Sequence, residues 1–169
     1  MSGTYTNNAG NLQKNITVGN IIDYHAVIVR EITTIKSDSF GDIFDVDVLQ
    51  STLYPLAHLS LESANYSQHE LTYNMRLYIM DLVDKDGDTE NYVLSDTMQM
   101  LGDYISYLKH GTQYFSNSLD YNSNHDFRVS EDISCEPFTE RYDASVTGWA
   151  ADFSITVSFN ASACDGDVT

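Results

Sequence analysis

Basic residues are scarce in this sequence of 169 residues: eight Lys and Arg face 25 Asp and Glu, for a net charge of −17. Affinity for a nucleic-acid backbone comes largely from Lys and Arg neutralising phosphates, so this balance excludes a chain that grips DNA or RNA. A surface of this charge repels them. Cysteine occurs only at Cys135 and Cys164, with neither a CxxC pair nor the spacing of a zinc site, and both read as free thiols. A bridge between them stays open in an oxidising setting outside the cell. Long apolar runs are missing too: residues 1–13 are polar and rich in Gly, Asn and Thr, with no signal-peptide core, and no stretch has the length of a membrane span. The expectation is a protein made and used in the cytoplasm, away from membranes.

The motifs of catalysis are equally sparse. There is no GxSxG elbow and no GxxxxGK[ST] phosphate loop, and His25, His58, His69, His110 and His125 sit in separate elements without an HxH or HExxH pair. Asp84, Asp86 and Asp88 open like a calcium loop, but Thr89 and Ser95 stand where an EF-hand needs Gly and Glu, so a solvated turn is expected. Carboxylate pairs drawn from 25 acids are uninformative. We assign no catalytic residue, no cofactor-binding residue and no metal ligand.

What is present is material for a core. The chain is 42% hydrophobic and 12% aromatic, and a chain of this length buries roughly two-thirds of the surface it exposes when unfolded. A single domain over 1–169 is expected, with 1–16 a flexible arm, 17–159 the core and 160–169 a C-terminal tail. Val18, Ile21, Ile22, Val29, Ile32 and Ile35 recur at threes and fours, predicting a first helix from Val18 to Lys36 capped by Thr17. After a break at Ser37 to Gly41 the period becomes two: Phe44, Val46 and Val48 predict a strand. Ala57, Leu59 and Leu61, alternating with His58 and Ser60 after Tyr54-Pro55, predict a second. Leu71, Tyr73, Met75, Leu77 and Ile79 make a long third one. Leu94, Met98, Leu101, Ile105 and Leu108 predict a helix from Asn91 to Lys109, ended by Gly111 and followed by a polar loop from Thr112 to His125.

Phe127 to Phe138 reads as a partner for the clearest strand in the chain, whose buried face is Trp149, Ala151, Phe153, Ile155, Val157 and Phe159. Trp149, Phe153, Ile155 and Val157 are its candidate core. The order of elements predicts an α+β fold: a mostly antiparallel sheet of four to five strands with two helices packed on one face.

That order resembles the tail-terminator, or neck-ring, family of tailed bacteriophages. The segment VLSDTMQMLGDYISYLKHG from Val93 to Gly111, and SCEPFTERYD followed by VTGWAADFSITV between Ile133 and Phe159, are similar to segments of small neck and tail-completion proteins. The resemblance covers residues 18 to 165 and carries no catalytic residues. It implies a structural virion protein at the junction of neck and tail, assembled in the host cytoplasm. Six copies would close into a ring that caps the tail tube protein and joins it to the head-neck connector protein while DNA passes through. The alternatives are another neck component, such as a stopper, or a ligand-binding module using Trp149 and tyrosines as a platform.

Overall fold

The computed structural model describes residues 16–46, 52–84, 86–118, 127–141 and 145–159. The first helix, α1, spans Val18–Glu31 and starts at a reciprocal cap: Asn20 N–H donates to Thr17 Oγ1 at 3.5 Å, and Thr17 N–H to Asn20 Oδ1 at 2.8 Å. It stops five residues short of the expected Lys36. Ile32, Thr33, Thr34 and Ile35 are all β-branched and crowd a helical backbone, and Ile32 has already turned to an extended conformation. Ile32 and Ile35 still reach the core from outside the helix.

The expected break at Ser37 is instead a strand, β1, Ser37–Phe40, and the strand expected at Phe44 is not formed among the described residues. Asp42 accepts from Phe44 N at 3.0 Å and starts a single 3-10 turn, Ile43–Asp45, which leaves Phe44 84% exposed. Val48 lies outside the described residues. Two strands then form a long hairpin, β2 (Leu56–Tyr66) and β3 (Glu70–Leu82).

The second helix, α2, is Glu90–Leu108, with Thr97, Leu101, Tyr104 and Leu108 turned inward and Met98 exposed. Gly111 does not end it in a left-handed cap. Lys109 keeps right-handed torsions, and Gly111 opens a third helix, α3, Gly111–Ser118. A Cβ on Gly111 would lie 2.2 Å from the Phe127 ring, so close packing demands the glycine. The expected polar loop is thus helical as far as Ser118 and buries Phe115; residues 119–125 lie outside the described set.

Phe127 to Phe138 is not one strand but two, β4 (Phe127–Val129) and β5 (Ser134–Arg141), laid end to end along β6 (Ser145–Ser158). The sheet order is β1-β2-β3-β6-β4, with β5 beside β4 on the same flank of β6. β1 runs parallel to β2 and every other described pairing is antiparallel. The α+β class and the mostly antiparallel sheet therefore hold.

All three helices contribute to one core against the sheet face carrying Ala57, Leu59, Tyr73, Met75, Leu77, Ile79, Ala151, Phe153, Ile155 and Val157. Tyr24 of α1 stacks on Tyr114 at 4.5 Å between ring centres and meets Phe115 and Phe127 edge-on, locking α3 and β4 to α1. Each such pair contributes roughly 0.5–1.5 kcal/mol beyond area burial. A smaller cluster on the opposite face joins Leu56, Met80 and Val146, covered by Ile43, Val46, Tyr54, Tyr78 and Phe138. No described helix is long and apolar enough to cross a membrane.

Candidate assembly surface

Phe153, Ile155 and Val157 sit in the helix-side core at 5%, 0% and 1% exposure, as their alternation demands. Trp149 is half-buried on the same side and donates its indole N–H to Leu94 O at 2.9 Å, which ties β6 to α2. An indole engaged in this way is poorly placed to serve as a ligand platform.

With the helices on one side, no described element covers the other face of β2, β3 and β6 beyond the small cluster. The register stacks Asn65, Thr72 and Thr156 in one row, and Ser63, Asn74 and Ser154 in the next. Their side chains bond to one another: Thr72 to Thr156 at 3.1 Å, Asn74 Nδ2 to Ser63 Oγ at 2.8 Å, and Ser154 Oγ to Asn74 Oδ1 at 2.8 Å. The cations of this face are met by acids. Arg76 holds Asp152 through two bonds of 2.7 Å and reaches Glu136 at 3.3 Å, while Arg128 pairs with Glu70. Arg76 donating into Asp152 holds that carboxyl below the usual carboxylate range. The result is a polar layer of short, mutually bonded side chains with Arg76 and Arg128 paired to acids.

Two histidines expected at ordinary positions are buried. His25 donates from Nε2 to Ala57 O at 3.2 Å, so its Nδ1 accepts the Tyr104 hydroxyl at 2.7 Å. His58, expected on a polar strand face, is 2% exposed; its Nε2 donates to Gly41 O at 3.0 Å and its Nδ1 accepts from Ser39 Oγ at 2.7 Å. Ser39 and His58 are also register partners across β1 and β2. A hydroxyl beside an imidazole is half of a nucleophilic pair, but the orienting position is filled by a carbonyl rather than a carboxylate. Here the pair clamps β1 to the sheet.

Among the described residues no three His, Cys, Asp or Glu converge as a metal site. Gly87 and Asp84 close the acidic turn by a backbone bond of 2.8 Å. Cys135 is exposed with a free thiol, and Cys164 lies outside the described residues. A hollow of about 550 Å³ near the end of α2 is lined by Lys109, Arg128, Ser130, Glu131, Ser154 and Thr156.

The edges of the sheet are unlike one another. β1 covers β2 only from Leu56 to Leu59. Beyond that point no described strand flanks β2 on this side, and Leu61 to Tyr66 are exposed. On the far flank β5 carries Pro137, which removes a donor from an edge strand. The open β2 edge leaves no sequence signal, because residues 62–66 show no apolar alternation. The polar layer does leave one: in the second half of β6 the outward positions are Asp152, Ser154, Thr156 and Ser158, with a single acid among them in a chain otherwise crowded with acids.

No known protein-family model matches the chain, and no curated protein sequence matches it.

Proposed function

We infer that the chain is a structural protein of a tailed-phage virion, a tail terminator whose copies close into a ring on the tail tube and join it to the head-neck connector. The observation that carries this reading is the one-sided fold: all described helices back one sheet face, leaving a charge-paired polar face and an edge that no described strand covers. A ring subunit needs two different contact surfaces related by a rotation that closes, and an open edge on one flank is a natural first half of such a contact. The sheet layer and the excess of acids both suit a channel wall past which DNA slides without sticking. Capping the tube calls for no chemistry. Six copies, the tail tube protein and the connector as partners, and a place at the neck follow from the family resemblance alone.

The test is native mass spectrometry of the purified chain with and without isolated tail tubes, with negative-stain imaging of tube ends. A closed ring, free or on tube ends whose growth has stopped, is the expected result. A monomer that ignores tubes and binds portal rings instead would transfer the reading to a portal-side stopper.

A further inference from the structure

Beyond Leu59 no described strand pairs with the outer edge of β2. Every second N–H and C=O of a strand points away from its partner, so the part of β2 beyond Leu59 presents, on the side opposite β3, groups that no described strand pairs. A bulge between Leu61 and Ser63 divides this edge and leaves Ser63, Ala64, Asn65 and Tyr66 in unbroken register with β3. These four contain no Pro, no Lys and no charge, the usual guards of an edge.

The chain enters the described fold over β3, the strand next to this segment. Ile16 is 2% exposed, and its carbonyl accepts the Tyr73 hydroxyl at 3.2 Å. Tyr73 is the register partner of Ala64. The fifteen residues before Ile16 include no acid and one base, Lys14, whereas all 25 acids follow them. This segment therefore brings no carboxylate for the acidic body to repel. Its strand-forming residues, Thr4, Tyr5 and Thr6, lie at its far end. Between them and Leu12 come Asn7, Asn8, Ala9, Gly10 and Asn11, the composition of a spacer. From Ile16 to Thr6 the extended reach is about 35 Å, against a radius of gyration of about 15 Å for a domain of this size. An extended chain of that length is long enough to reach a neighbouring copy.

We propose that residues 4–6 of one copy add as a strand to Ser63–Tyr66 of a neighbouring copy, so that the N-terminal segment ties successive subunits together. The proposal rests on the ring reading and names its contact. Donor and acceptor surfaces differ, so the exchange is head-to-tail, as a closing ring requires. Main-chain bonds give the affinity, and Tyr5 brings an aromatic contact to the exposed strand.

Disulfide trapping in the full chain tests it. In a background with Cys135→Ser and Cys164→Ser, Thr6→Cys is combined with Ala64→Cys, and Tyr5→Cys with Asn65→Cys, to cover both strand faces. Mild oxidation is expected to give a ladder of covalent multimers for at least one pair, and deletion of residues 2–14 is expected to weaken association at least tenfold. An intrachain bridge alone, or no bridge in either pair, overturns the exchange. Native masses of the reduced proteins separate the two failures: intact rings without cross-links sink only the strand exchange, whereas monomers with and without tubes sink the ring reading as well.

Discussion

His25 is held where a charge has no place to go. Burial is the main cause that lowers its pKa from 6.5 to about 4, against the opposing pull of Asp38 and of its backbone bonds, with His58 adding a smaller push in the same direction. The unfolded chain therefore takes up a proton at a pH where the folded one does not. Stability from this group is complete above about pH 6.5, drains as the pH falls toward 4, and changes no further below that. The gap corresponds to about 3 kcal/mol. His25→Leu strands the Tyr104 hydroxyl and the Ala57 carbonyl, at a cost of about 2–4 kcal/mol at neutral pH. It also removes the titration, so urea unfolding at a series of pH values should show the two proteins converging by about 3 kcal/mol between pH 7 and 4. Parallel curves would mean that His25 does not titrate as its burial requires.

Among the elements, β6 and α2 offer a matched pair of glycines. Gly148 lies where β6 passes closest to β3: a Cβ there would sit 1.9 Å from Ile79 O and 2.8 Å from Met80 Cα. Neither atom belongs to a side chain that can swing aside. Gly102 is exposed on α2, and a methyl group added there would meet nothing within 4 Å. Gly148→Ala is expected to destabilise by about 3 kcal/mol or more, while Gly102→Ala stabilises by about 0.5–1 kcal/mol through helix propensity. Since 1 kcal/mol moves Tm by about 2–4 °C in a domain of this size, thermal melts should separate the two in opposite directions. If Gly148→Ala melts like the parent, β3 and β6 are not in the described register.

The same elements show what periodicity can and cannot reveal. α2, β3 and β6 were legible because each is long and one-sided, and Phe153, Ile155 and Val157 fell where alternation put them. β1 was not, because Ser-Asp-Ser-Phe is short and polar and is held by His58 and a parallel neighbour distant in sequence. α3 escaped because one buried Phe115 in a polar helix leaves no period, and because Gly111 reads as a stop when its real constraint is the Phe127 ring. The open edge of β2 depends on where β1 ends against it, a long-range fact that no local pattern encodes.

For the molecule as a whole, a charge of −17 sets the conditions under which copies can meet. Each subunit brought to a ring adds to a repulsion that extends over a Debye length, about 10 Å at 0.1 M salt and about 3 Å at 1 M. The strand contacts proposed between copies oppose that repulsion with main-chain bonds and an N-terminal segment whose only charged side chain is Lys14, and such bonds are barely screened. Added salt should therefore strengthen self-association, the reverse of an assembly held by ion pairs across its interface. Sedimentation velocity at fixed protein concentration is expected to shift from small species at about 20 mM salt toward rings at about 500 mM, as the screening length shrinks. Asp96→Lys and Asp103→Lys on the exposed side of α2 each make the net charge less negative by two, so together they should move the same transition to lower salt. A ring that falls apart as salt rises would place complementary charges, rather than strand edges, at the interface between copies.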